Sequence, residues 1–416
     1  MASNYCVYLT NWPFINNRGQ LAMCCKNDRV DINPPFGNIR NTPLKELWHS
    51  IYIEHQRHKM ACGSMPEGCN ICYDYERDVD IMSFRMRSLY GVHHFADGFD
   101  WENPRMKEPY QDKQIRALDL RIGSICNCAC IMCHPSDSSK WHGNYERYDR
   151  EVNQPCNLKH PGHVETIKQL YRPSLLNWAE HESSWKNIFN SIDRNLKKVY
   201  MAGGEPFYLK NFPEYVRELV GYAPDVTIDI NTNGTHLLNE QHISQLRNHL
   251  RISISVDGYE LMDEFHRVGT VWQKKVDVMD QCYKYLNIRT MDITITSLSV
   301  RGLPNLIKFI TERYPDTAIM LRPVVNKPGL AIQDIPRSLR QSTIDFFNQI
   351  PAAKKQGDNC LFVNYSQFEH DLKMPDSIKK NNNRQILQHT IKYTESISNI
   401  KYHDIDSELN EWIFKL

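Results

Sequence analysis

Cys126, Cys130 and Cys133 lie in the run Ile-Cys-Asn-Cys-Ala-Cys-Ile-Met-Cys from Ile125 to Cys133, directly after the strand-like Ala117-Leu-Asp-Leu-Arg-Ile122. Their C-x3-C-x2-C spacing offers three thiolates, one fewer than the four that usually hold a [4Fe–4S] cube. Such a loop leaves one iron open to an outside ligand, and chemistry can start there. Structural zinc is the competing use of clustered cysteines, but it usually draws four ligands as two separated pairs, which this spacing does not supply. Cys128 stands two residues from both Cys126 and Cys130. Its side chain is expected to point away, since a fourth thiolate would close the cube.

A second group of cysteines lies near the N-terminus: Cys6, Cys24, Cys25, Cys62, Cys69 and Cys72. Four-cysteine zinc stays open as an alternative for this group, because C-x2-C plus two distant cysteines suits zinc. Tyr5–Leu9 and Gly19–Cys24 read as short strands around an Asn16–Gly19 turn. Pro43 to about Met60 reads as one amphipathic helix with Leu44, Leu47, Trp48 and Ile51 on its apolar face. Gly68 then introduces Cys69-Asn-Ile-Cys72 at the head of a further helix.

These groups need elements to position them. Six strand-like segments, Gln114–Ile122, Lys197–Ala202, Asp225–Asn231, Leu250–Val256, Met291–Thr296 and Ala318–Pro323, alternate with helical stretches such as Phe212–Tyr222, Trp272–Leu286 and Leu306–Arg313. That alternation predicts an α/β fold with a parallel sheet and crossover helices. The stretch Trp141–Ser191 is long for a crossover and is expected to be a helical insertion, with a lid or partner surface as the alternative. From Arg337 the chain reads as helical, with Lys379–Arg384 as a solvated loop and Glu408–Leu416 as a short amphipathic end.

The chain has 416 residues, with Lys plus Arg at 50 against Asp plus Glu at 49, so it lacks the basic excess of a dedicated nucleic-acid binder. No run of 18 apolar residues and no leader-like N-terminus is present, so no membrane partner and a cytoplasmic location are expected. Thirteen cysteines in such a chain favour metal or cluster ligation over disulfides.

The cysteine loop after a first strand, followed by Gly203-Gly204-Glu205-Pro206 at the end of the second, resembles the radical S-adenosylmethionine (SAM) enzymes. The resemblance implies a partial (β/α)6 barrel over residues 110–335, with Cys126, Cys130 and Cys133 holding the SAM-binding [4Fe–4S] cluster. It also implies reductive cleavage of SAM to a 5′-deoxyadenosyl radical that abstracts hydrogen from substrate. Gly203, Gly204 and Glu205 would meet the SAM amino group, and Asn233 at the Asn231-Thr-Asn-Gly234 turn would meet cofactor or substrate. Ser255 and Arg267 match residues that hold the SAM ribose and carboxylate. Met132 stands where the family often has an aromatic residue near the adenine; His266 is expected to be structural.

Cys6, Gly19-x4-Cys24, Leu44-x2-Leu47-Trp48 and Cys69-x2-Cys72 resemble the SPASM/twitch auxiliary-cluster module, here ahead of the barrel in place of its usual position behind it. This implies a small α+β domain over residues 1–100 holding an auxiliary [4Fe–4S] cluster on Cys6, Cys24, Cys69 and Cys72, with Cys25 competing for the place of Cys24. A mostly helical extension occupies 336–416. The implied substrate is a peptide or protein, with a sugar or alcohol as the small-molecule alternative. A flavodoxin or ferredoxin would donate the electron. A non-catalytic zinc-binding scaffold is the reading from another class.

Overall fold

The structure is a computed structural model, and it describes residues 5–27, 37–78, 83–89, 113–156, 173–236, 239–324, 327–355, 361–376 and 380–415. The expected boundary between residues 100 and 110 lies outside these. Strands in chain order are β1 (Phe14–Ile15), β2 (Leu21–Ala22), β3 (Ala117–Arg121), β4 (Ala129–Cys130), β5 (Lys198–Ala202) and β6 (Thr227–Thr232). They continue with β7 (Leu250–Ser255), β8 (Arg267–Val268), β9 (Asn287–Ile295), β10 (Ala318–Pro323) and β11 (Phe362–Val363). All six predicted barrel strands are present within a few residues of their expected ends. The fold is α/β with mostly parallel sheet, and neither sheet portion closes into a barrel among the described residues.

The chain divides into two compact units. The first comprises residues 1–125, 173–230 and 240–250. In it β3 pairs in parallel with β5, and β5 with β6. The short β1 joins the other edge of β3 in parallel and carries β2 antiparallel to itself. The N-terminal hairpin thus extends the sheet instead of standing apart from it. Every residue of β5 is buried, including Lys198, whose ammonium pairs with Asp229 of β6 at 3.2 Å. Trp178 and Trp185 are also fully buried.

Two N-terminal expectations are corrected here. Tyr5–Leu9 is no strand: Val7–Asn11 is a short helix, and the hairpin partner of Leu21–Ala22 is Phe14–Ile15. The Cys6 carbonyl collects Leu9 N, Thr10 N and the Thr10 hydroxyl, local bonds that an extended chain cannot make. A short run buried on every side hides its periodicity, so sequence alone could not separate the two. The helix expected from Pro43 is two helices, Leu44–Trp48 and Ile51–Ala61, broken where Ser50 takes an extended conformation.

The second unit comprises residues 126–172, 231–239 and 251–416. There β7, β9, β10 and β11 form a parallel sheet, and β4 pairs antiparallel with β8 as a separate ribbon. Helices Arg337–Gln349, Tyr365–Lys373, Lys380–Ser398 and Ser407–Phe414 make the C-terminal part helical, as expected. The Lys379–Arg384 loop is corrected: from Lys380 it is the first turn of helix Lys380–Ser398, whose buried Ile386, Leu387 and Ile391 supply the apolar stripe. Tyr393 of that helix stacks on Trp141 at 6.0 Å, and Tyr148 meets both rings edge-on.

Candidate functional site

The loop Cys126–Cys133 belongs to the second unit, and side chains from the following segment bind it at short intervals. The Ser139 hydroxyl receives Cys126 N at 3.2 Å, the Ser138 hydroxyl donates to Cys128 O at 2.5 Å, and the Trp141 indole donates to Cys130 O at 3.0 Å. Lys327 donates its ammonium to Ile131 O. Ile131 N donates to His266 O at 2.9 Å, and Cys130 lies opposite Arg267 in the β4–β8 ribbon. These bonds tie down the polar backbone of the loop that carries the sulfurs.

Those sulfurs converge. The Cys128 thiol shares hydrogen bonds with Cys126 and Cys130, and Cys130 with Cys133. Hydrogen bonds from Cys128 and Cys133 push Cys130 well below the usual thiol range, with Arg267 and Lys275 adding to the effect despite burial. The same contact pushes Cys133 up. Among the described residues no three acidic, histidine or cysteine side chains are placed to hold a single metal ion. A cube differs in presenting a separate iron to each sulfur, and thiols are the donor type that it takes.

Cys128 departs from expectation. Its side chain is fully buried and turned toward the other sulfurs, because the chain folds back so that Cys128 N reaches Cys126 Sγ at 3.4 Å. A two-residue spacing separates side chains on a helix, whereas in extended chain it puts them on one face.

Asn233 also faces this loop. Its amide donates to Asn127 Oδ1 at 2.8 Å and reaches Cys128 Sγ at 3.4 Å and Cys126 Sγ at 3.7 Å. Its carbonyl accepts from Thr235 N and Oγ1, which fixes the amide orientation. The Ser255 hydroxyl donates to Asn231 Oδ1 at 2.9 Å, and Asn231 Nδ2 donates to Asp292.

Arg267 faces inward. It is buried, with Nη1 on Asp257 Oδ2 at 2.5 Å, while its Nε is buried without a partner among the described residues. Burial opposes its charge, but Cys130 and Asp257 outweigh that and raise its pKa. Burial raises Asp257 in turn, against the pull of Arg267. His266 is structural as expected, bonded to Met262 O and to the Thr296 hydroxyl, and burial pulls its pKa down. Met132 sits half-buried in the turn between Cys130 and Cys133.

Gly203, Gly204 and Glu205 lie in the first unit at the end of β5. Both glycines take positive φ, +86° and +60°. Glu205 N donates to Ile125 O at 2.7 Å, and its carboxylate accepts from Phe207 N to cap the helical turn that follows. The glutamate therefore shapes the turn.

In the same unit Cys6 and Cys72 are buried, and Cys24 and Cys69 half-buried. Burial raises the Cys24 thiol, as do the nearby Cys25, Cys6 and Cys69 sulfurs. Cys6 is pushed up to about 11 by burial, with Cys72 adding to it. Cys25 turns the other way: its thiol faces Asp119 of β3 and the Arg121 guanidinium. Cys62 is exposed beside His58.

Residues 120–303 match the Radical SAM superfamily model, and residues 6–73 match SPASM, the iron–sulfur cluster-binding domain. The chain carries a radical SAM domain behind an N-terminal SPASM domain. Both domain types imply iron–sulfur clusters. Among curated relatives, GTP 3′,8-cyclase of Nautilia profundicola is 23% identical over 150 residues, 35% of this chain and 36% of that protein. GTP 3′,8-cyclase of Campylobacter jejuni subsp. doylei is 23% identical over 185 residues, 40% of this chain and 55% of that protein. The chain thus spans well under two thirds of either relative. Among solved structures, native anSMEcpe with bound AdoMet shares 18% identity at TM-score 0.37, covering 55% of this chain and 59% of that one. Streptococcus suis SuiB bound to S-adenosylmethionine shares 13% at TM-score 0.33, covering 56% and 48%. No described helix is long and apolar enough to cross a membrane.

Sequence reasoning missed Ser138, Ser139, Asn127 and Lys327 as loop-binding residues. A Ser-Ser pair before a helix was a readable signal, because serine favours such backbone bonds. Lys327 gave none, since it comes from almost two hundred positions away.

Proposed function

We propose that this protein is a radical SAM enzyme that reductively cleaves SAM and abstracts hydrogen from a peptide or protein side chain. The observation that carries the reading is that the Cys126, Cys130 and Cys133 sulfurs meet, Cys126 by way of Cys128, in a loop whose backbone is tied down opposite a buried arginine. Those three residues would hold the SAM-binding [4Fe–4S] cluster. When bound, cluster and SAM together supply a 5′-deoxyadenosyl radical.

The chain's own residues bind and orient. Arg267 is aimed by Asp257, and its guanidinium would suit the SAM carboxylate, which an arginine fork matches in geometry. Asn233 has a fixed amide at the cysteine loop, and Ser255 presents a hydroxyl for the ribose. Gly203 and Gly204 bring backbone close to the amino group because no Cβ intervenes, and Met132 would pack near the adenine. Cys6, Cys24, Cys69 and Cys72 would hold the auxiliary cluster; Cys24 is preferred because Cys25 faces Asp119. The domain limits 1–100, 110–335 and 336–416 are part of this proposal, as is a flavodoxin- or ferredoxin-type donor.

The peptide substrate rests on the resemblance to peptide-modifying enzymes with the same auxiliary module. Anaerobic reconstitution should give about eight irons per chain, the sum of two cubes, and reductant should release 5′-deoxyadenosine from SAM. Zinc without iron would refute the enzyme reading. Turnover with peptide libraries, against nucleotide, sugar and alcohol panels, decides the substrate: mass loss confined to a small-molecule panel would overturn the peptide assignment.

A further inference from the structure

In the second unit, β7 and β9 turn Ile252, Ile254, Met291 and Ile293, all fully buried, to one face of the sheet. The other face is polar. Ser253 and Ser255 stand beside Thr290 and Asp292 on it, and Arg322 of β10 reaches them. Polar residues in place of a core, toward the C-terminal ends of parallel strands, suit a ligand. Their hydrogen bonds run in one direction. Arg322 Nε and Nη2 donate to Asp292 Oδ2 at 3.2 and 3.0 Å, and the Thr290 hydroxyl donates to Asp292 Oδ1 at 2.7 Å. Paired with that guanidinium, the Asp292 carboxylate only accepts. It therefore takes the amide NH2 of Asn231, at 3.2 Å, and the Asn231 carbonyl is turned to accept from the Ser255 hydroxyl at 2.9 Å. A hydroxyl has one proton and two lone pairs. With its proton given to Asn231, the Ser255 oxygen offers lone pairs alone. Asp292 is buried, whereas Asn231 and Ser255 are half-buried and within a ligand's reach.

We propose that Asp292 is a positioning residue that acts through Asn231 to orient Ser255, so that Ser255 meets the SAM ribose as an acceptor and a ribose hydroxyl donates to it. This rests on the ribose assignment of Ser255 made above. Asp292 touches neither cofactor nor reacting atom; it fixes the Asn231 amide, and the amide fixes the serine proton. A supporting group of this kind holds a binding side chain in one geometry before the ligand arrives.

The test measures binding to the full chain, reconstituted anaerobically and left unreduced, by equilibrium dialysis with SAM, 2′-deoxy-SAM and 3′-deoxy-SAM. In the wild type one of the deoxy compounds should bind about three- to tenfold more weakly than SAM, the worth of one neutral hydrogen bond. Asp292→Leu keeps the outline of the carboxylate without an acceptor, and there the ratio should fall to within about twofold. Asp292→Asn, whose amide oxygen still accepts from Asn231, should keep the wild-type ratio. A packing role alone would weaken SAM and its deoxy analogue alike and leave the ratio where it was. Fluorine in place of the hydroxyl that matters cannot donate and should not restore affinity; full restoration overturns the acceptor role. If Asp292→Leu does not fold, Asn231→Ala cuts the relay at its next bond and carries the same expectation. A wild-type ratio in whichever of these two folds overturns the positioning role alone. A wild type indifferent to both deoxy compounds, or Ser255→Ala with the wild-type ratio, overturns the ribose assignment beneath it, and a wild type that binds no SAM overturns the enzyme reading.

Discussion

Gly204→Ala tests whether the turn after β5 is built on close backbone approach. At φ +60° an added Cβ would stand 2.4 Å from Ile125 O, 2.9 Å from Ile125 N and 3.1 Å from Ile125 C. All three are backbone atoms, so no flexible side chain can move aside. The left-handed conformation costs alanine about 1–2 kcal/mol, and forcing the backbones apart adds about 1–3 kcal/mol as in overpacked cores. The sum is about 2–5 kcal/mol. Gly203→Ala shares the dihedral penalty at φ +86°, but its closest contacts are 3.2 and 3.3 Å. It should lose only about 1–2 kcal/mol. Gly221, in helix Phe212–Tyr222 with nothing within 4 Å, should gain about 0.5–1 kcal/mol as alanine. Urea midpoints should therefore rank Gly221→Ala, wild type, Gly203→Ala, Gly204→Ala from highest to lowest. Because Ile125 directly precedes Cys126, Gly204→Ala should also reduce iron loading. A Gly204→Ala midpoint equal to or above that of Gly203→Ala would refute the close-approach argument.

Cys128→Ala should retain about eight irons while Cys130→Ala drops to about four; iron analysis showing equal loss would mean that Cys128 closes the cube and leaves no iron for SAM. Lys327→Met removes a charged hydrogen bond from the loop, and iron loss to a chelator should quicken by about tenfold; an unchanged half-time would show the loop does not depend on it. Asp263 and Lys275 form a fully buried pair at 2.7 Å, so Asp263→Asn should destabilise by about 3–5 kcal/mol. The double variant Asp263→Leu/Lys275→Met should lose less than either single change when urea midpoints are compared. Tyr393→Phe deletes only the bond to Asn144 O at 3.2 Å, worth about 0.5–1.5 kcal/mol. Tyr393→Ala empties the stack on Trp141 and should lose about 3–5 kcal/mol by the same measurement.

The sequence by itself determined the alternation that makes this an α/β protein. The cysteine spacings and the Gly-Gly-Glu turn could be read there too. All of these are local: a strand's period, three thiols within eight residues and a glycine pair are each visible in a short window. The same window misled where burial is all-round, at Tyr5–Leu9, because a fully apolar stretch has no face to count. It misled again at Lys379–Arg384, where polar residues open a helix whose apolar stripe begins only later.

Only the tertiary structure decided what each polar group faces. Cys24 turns to Cys6 and Cys69 while its neighbour Cys25 turns to Asp119. Arg267 is buried on Asp257, Cys128 folds in among the other thiols, and Lys327 crosses a long stretch of chain to hold Ile131. Spacing along the chain sets which side chains can meet. Which ones do meet is set by the packing that removes them from water, since a buried donor or charge is stable only against the partner that the fold brings to it.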